Sequence, residues 1–167
     1  MFSNLTRVLL AAALASPAAA QPAWDGAETA FFGVTFLDTS TEGEINGVRP
    51  DETARVEKLE AYIAASLAEQ GLDLVDLAPV QAEIDRTTNP SKCNDCDIRM
   101  ARKLGAQYVV VSEVQKVSNL IIAINIYVRD AESGGQIAGQ AVDIRGNTDD
   151  TWIRGARYIL QRNIFAE

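Results

Sequence analysis

Residues 108–145 read YVVVSEVQKVSNLIIAINIYVRDAESGGQIAGQAVDIR, and this stretch decides the fold. Three runs read as strands, at about 108–117, 120–130 and 136–145, the first two rich in β-branched residues. Such side chains favour strands because they pack well on a pleated surface. In the middle run Leu120, Ile122, Ile124, Ile126 and Val128 alternate, so they share one face and mark it as core-facing. Asn125 and Tyr127 fall on the opposite face, and with Glu113 they are expected to dot an exposed side of the sheet. Ser118-Asn119 and residues 132–135 are hairpin turns, so the three strands form an antiparallel meander.

Working outward, residues 29–37 (TAFFGVTFL) form a buried first strand. Asp51 can cap a helix running to about Gln70, with Val56, Leu59, Ile63 and Leu67 at 3–4 spacing and Gly71 as the stop. A short second strand follows at 72–77. A helix between two strands implies a parallel, right-handed pair. Short helices at 79–86 and 97–104 then return the chain beside the first strand, the second ending at Gly105 where the backbone must turn left-handed. Thr148 caps a last helix over about 149–164, with Asp149 and Asp150 in its first turn. The expected architecture is α+β: one five-stranded mixed sheet in the order 2-1-3-4-5, with helices packed on at least one face.

The amino terminus predicts a compartment. Residues 1–7 carry one basic residue and no acid, 8–15 are unbroken apolar, and 16–20 end in an Ala-x-Ala site formed by Ala18 and Ala20. That is the layout of a secretory signal peptide cleaved before Gln21, with an apolar core too short to span a bilayer. The first cysteine is Cys93, so no thiol stands at the cleavage point to take a lipid anchor. The expectation is a signal peptide at 1–20 and a single periplasmic αβ domain at 21–167, with no membrane insertion.

Loss of Arg7 with the leader moves the formal charge from −8 to −9. So acidic a chain is repelled by nucleic acid and by anionic membranes. The chain has no histidine, which removes the usual general base at neutral pH and the commonest transition-metal ligand. Carboxylates or lysine remain as chemical groups, but Lys58, Lys92, Lys103 and Lys116 stand in no recognisable catalytic setting. No catalytic residue, metal ligand or cofactor is expected, and carboxylate pairs for glycoside hydrolysis cannot be picked out.

Three stretches carry chemistry-bearing residues. Cys93-Asn94-Asp95-Cys96 precedes a helix, whose dipole lowers thiol pKa as in redox pairs. An oxidising compartment instead favours a small structural disulfide, and the strand-then-CxxC setting of thioredoxin-type enzymes is missing. Asp38, Ser40, Glu42 and Glu44 alternate in a calcium-loop manner with Gly43 at the sixth place. Arg49 holds the twelfth place, where a bidentate glutamate belongs, so a solvated acidic loop is expected. Gly146-Asn147-Thr148 makes a tight turn at a helix start, where Asp149 and Asp150 repel any phosphate. Trp152 is expected to pack on the sheet, and Arg145, Arg154 and Arg157 to pair with Asp143, Asp149 and Asp150.

Residues 104–111 (LGAQYVVV), followed by a hairpin, resemble the helix-Gly-strand element of exported bacterial envelope proteins. They are similar to the TolB amino-terminal domain, to CsgG, and to the lipoprotein activators of penicillin-binding proteins. A closer resemblance is to a family of secreted proteobacterial proteins named as a domain of unknown function. It is carried by residues 38–52 (DTSTEGEINGVRPDE), 93–96 (CNDC), 114–121 (VQKVSNLI) and 142–152 (VDIRGNTDDTW). The resemblance implies the mixed αβ fold and a non-enzymatic, partner-binding role in an envelope complex. It leaves as alternatives a thiol redox role and an accessory role in a periplasmic quinoprotein dehydrogenase system.

Overall fold

The computed structural model describes residues 24–166. The leader expected at 1–20 and its cleavage point before Gln21 lie outside the described residues. β1 (Glu28–Asp38) leads through α1 (Thr41–Asn46) into the long α2 (Pro50–Glu69) and the short β2 (Asp73–Leu74). Two small helical segments, including α3 (Gln81–Ile84), and α4 (Cys96–Leu104) precede the meander of β3 (Tyr108–Ser118), β4 (Ile121–Asp130) and β5 (Gln136–Arg145). α5 (Asp149–Ile159) closes the fold and continues into a π-helical turn, Leu160–Ile164.

The sheet has the order β2-β1-β3-β4-β5. β1 runs parallel to β2 and β3, whereas β3-β4 and β4-β5 are antiparallel. Helices lie on both faces. α2 and α5 cover one, burying Leu59, Ile63 and Leu67 against Ile122, Ile124, Ile126 and Val128. α4 covers the other face, where Ile98, Met100 and Ala101 pack on Ala30, Phe32, Val109 and Val111. That second layer stops at the β1–β3 half: on β4 Ala123, Asn125 and Tyr127 stay half-exposed, and on β5 Ala141, Asp143 and Arg145 are exposed.

Several boundaries differ from the sequence reading for local reasons. β2 is two residues long rather than six, because the Asp76 carboxylate accepts from Ala78 N–H at 3.0 Å and turns the chain into a 3-10 helix. Leu120 is not part of the apolar stripe; it lies in the hairpin turn, where Ser118 Oγ accepts from its N–H, and is 70% exposed. Arg49, not Asp51, caps α2, since Pro50 takes the first helical position and Glu52 reaches back to Arg49 N–H at 3.2 Å. Residues 41–46 form a helix where a loop was expected: Ser40 Oγ accepts from Gly43 N–H, and Glu42 and Glu44 favour the N-terminal end. Gly105 has a φ of 76°, the left-handed conformation its position required.

Candidate functional site

β1 and β3 run parallel, so their carboxyl ends emerge together, and open αβ sheets commonly place ligands there. Here the place is filled by the chain's own side chains. Lys116, the last inward residue of β3, is fully buried. Its Nζ lies 2.6 Å from Glu52 Oε1, 3.0 Å from Glu42 Oε2 and 3.1 Å from Asp38 Oδ2. These carboxylates come from α2, α1 and the end of β1. Glu52, itself fully buried, also accepts from Asn147 Nδ2 at 2.8 Å. Asn147 in turn accepts from Arg55, which bonds Asp149 at 3.0 Å and stacks 5.5 Å from the Trp152 ring centre. Asn119, in the β3–β4 turn, donates to Glu42 at 2.9 Å.

Two of the four stretches that carry the family resemblance, 38–52 and 114–121, therefore meet at the Lys116 ammonium, and a third, 142–152, joins them through the Asn147–Glu52 bond. The structure places Lys116 in a defined ionic cluster that sequence spacing did not reveal. It corrects the expectation of a solvated acidic loop: Asp38 turns inward, and Glu42 reaches the ammonium while its side chain stays 32% exposed. Gly43 matters here through space. A Cβ at Gly43 would stand 2.2 Å from Asp38 Cγ, so α1 can lie against Asp38 only with glycine there. Gly43→Ala is expected to lower stability by about 1–3 kcal/mol, the usual cost of overpacking, read as a shifted urea midpoint.

The electrostatics of the cluster are those of a closed ion network. Burial favours the neutral amine of Lys116, but hydrogen bonds to Glu52, Glu42 and Asp38 outweigh it and raise its pKa. Burial likewise opposes ionisation of Asp38, and the bonds from Ser40 and Lys116 win, holding its carboxyl below the usual range. Glu42 is lowered first by Lys116 and then by Asn119. An ammonium held charged is neither a nucleophile nor a base.

The signs set a stability profile. Depressed carboxylates contribute fully above their unfolded value, 3.8 for Asp38, and lose that contribution as pH falls through the folded value. The raised Lys116 contributes fully below its unfolded value of 10.5 and loses it only as pH rises through the higher folded one. With no histidine to titrate between them, the urea midpoint should stay nearly flat from about pH 5 to about pH 10 and fall steeply below about pH 4.

A second network occupies the α4 face. Glu113 is only 2% exposed, contrary to the expected exposed sheet residue. The segment before α4 folds over it: Asn89 Nδ2 donates to one carboxylate oxygen, Lys92 Nζ lies 2.8 Å from the other, and Asn125 Nδ2 lies 3.4 Å away. The same segment holds Cys93 and Cys96 in disulfide geometry, with a Cα–Cα distance of 5.4 Å. Asn94 and Asp95 between them have φ of 55° and 61°. Asp95 pairs with Arg129 at 2.6 Å, and Arg129 also bonds the buried Asp97 and the carbonyl of Gly134. The cysteine loop is thus clamped to the β4–β5 turn.

The arginines expected to neutralise the last loop divide differently. Asp149 pairs with Arg55 and Lys58, and Arg157 lies over Tyr62. Among the described residues no carboxylate lies within 4.0 Å of the Arg145 or Arg154 guanidinium. Among them, too, no group of three or more His, Cys, Asp or Glu side chains could hold a metal, and no helix is long and apolar enough to cross a membrane.

The sequence profile of the family DUF3280, described as "Protein of unknown function (DUF2380)", matches residues 27–164. The chain belongs to this family. The DUF3280 match runs from the start of β1 to the end of the π turn, so it takes in both ionic networks and the cysteine loop. No curated protein matches the chain in sequence. Among solved structures, the LpoB C-terminal domain from Salmonella enterica is similar at a TM-score of 0.51 and 18% identity, covering 72% of this chain and 84% of that one. Lipoprotein GNA1162 from Neisseria meningitidis gives a TM-score of 0.50 at 16% identity, over 74% and 83% of the two chains. At these identities the likeness is one of fold.

Proposed function

We propose that the chain is an exported, periplasmic envelope protein that works by holding a protein partner and catalyses no reaction. One observation carries this reading. The buried ionisable groups Lys116, Glu52, Glu113 and Asp97 are all tied up by partners within the chain, while the α4-side face of β4 and β5 around Ala123, Asn125, Ala141 and Asp143 stays half-exposed or exposed. Charges satisfied internally stiffen a scaffold, and a half-exposed sheet face is a surface for contact. The leader expected at 1–20, cleaved before Gln21, and the lipoprotein among the fold neighbours support an envelope setting. Co-purification from periplasm under mild crosslinking tests it: a discrete heteromeric adduct is expected, and a strictly solitary monomer contradicts it.

The thiol-redox reading keeps one observation in its favour, the position of Cys96 as first residue of α4 behind two left-handed residues. An insulin-reduction assay and the pair's reduction potential separate the two. A potential below about −300 mV marks a structural bond, and catalytic turnover of insulin marks an oxidoreductase.

A further inference from the structure

Two features of the last strand and helix have no role in the networks above. β5 is a ten-residue strand at the sheet's edge, whereas the opposite edge, β2, has only two residues. An edge strand presents unpaired backbone N–H and C=O groups, which natural proteins usually blunt. The irregularity in β5 comes early, opposite Val128 and Arg129, and leaves the later residues in regular register. Alongside that regular half runs a groove of about 400 Å³, with Val142, Ile144 and Arg145 on one wall and Arg154, Gly155 and Tyr158 of α5 on the other. Gly155 lets α5 lie close, since a Cβ there would stand 3.0 Å from both Ile124 and Ile144 side-chain carbons. A groove between an edge strand and a helix is the geometry in which a peptide adds to a sheet as an extra strand.

The charge of the groove selects the peptide. In a chain of formal charge −8, Arg154 lines the groove and Arg145 flanks it on the edge strand, neither with a carboxylate partner among the described residues. Ile144 packs towards the core, so by alternation Arg145 stands on the opposite face of β5, while Arg154 stands on the α5 side. Successive side chains of an added strand point to opposite faces, so two adjacent acidic residues address both arginines. Asp143, on the Arg145 side, opposes a carboxylate there and makes Arg154 the stronger contact.

We propose that this groove takes an extended segment of a partner protein, added to β5 as a sixth strand and carrying adjacent carboxylate side chains. The proposal rests on the partner-binding reading and names its surface and chemistry. The probe is a short fluorescent peptide of alternating threonine and valine with two central glutamates, compared with versions carrying two lysines or a central proline. Binding to the purified mature protein is read at low salt by anisotropy and by backbone amide shifts. Expected are binding of the glutamate peptide, shifts at residues 140–145, and at least about tenfold weakening by Arg154→Glu, with a smaller loss in Arg145→Glu. The proline peptide should not bind, because it lacks a ladder donor. Equal binding of the glutamate and lysine peptides overturns the proposal, as do absent binding, shifts confined to the uncovered face of β4, or a homodimer formed through β5. A cellular partner that co-purifies undiminished with Arg154→Glu also overturns it while the partner-binding reading stands; failure of any partner to co-purify counts against that reading itself.

Discussion

Lys116→Met should lower the unfolding free energy by about 3–5 kcal/mol, the loss seen when one member of a buried ion pair is removed and the other left uncompensated. In this protein the uncompensated groups are Glu52, fully buried, and Asp38, whose side chain is 4% exposed. Methionine matches the length of the lysine stem, so the loss reports charge rather than a cavity. For a domain of this size the fall in Tm is roughly 10 °C. The pH dependence identifies the cause. Without the ammonium, the Asp38 carboxyl loses a partner that holds its pKa down while its burial remains, so protonation costs the variant less than wild type. The deficit against wild type should shrink as pH falls towards about 4, whereas a packing defect would persist. Adding Glu52→Gln to Lys116→Met should restore part of the loss, because the two positions are in direct contact. Urea titrations of the three proteins at neutral and acid pH measure all of this.

Trp152→Ala is the second large effect. Trp152 is fully buried, its ring 5.6 Å from that of Phe36 and beneath the Arg55 guanidinium. Truncation of so large a core side chain costs about 3–5 kcal/mol. It also removes the surface on which Arg55 lies, so the Arg55–Asp149 contact between α2 and α5 should loosen. Trp152→Phe should cost clearly less, because the indole Nε1 makes no hydrogen bond that its loss would leave unpaired. Thermal unfolding of both variants gives the order.

The sheet was legible because its signals are local. Ile122, Ile124, Ile126 and Val128 alternate over β4, Gly105 stops α4, and Thr148 opens α5 by accepting from Thr151 N–H. The ionic clusters were not, because their members are far apart in sequence: Lys116 and Glu42 are 74 residues apart. One sign was present. Lys116 is in phase with Val110 and Val114 on the core side of β3, and Glu52 with Val56, Leu59 and Ile63 on α2. A charge in phase with an apolar stripe on two different elements announces a buried pair. Glu113 was misread because alternation along β3 cannot say that the segment before α4 covers its second face. The helix at Thr41–Asn46 was hidden behind a pattern of acids that suggested a calcium loop, although Ser40 three residues before Gly43 is a capping arrangement.

The central claim is that this chain acts through a surface and that its chemistry-bearing residues serve the scaffold. Cys93 and Cys96 test it most directly, since they are where a structural and a chemical role separate. The measurement is recovery of the crosslinked partner complex from cells carrying the double serine variant at permissive temperature, alongside the variant's unfolding free energy. The account predicts a stability loss of about 1–3 kcal/mol, modest because the closed loop is short, with recovery of the complex per folded molecule unchanged. A double variant as stable as wild type that fails in the cell would contradict it and assign the pair a thiol chemistry of its own.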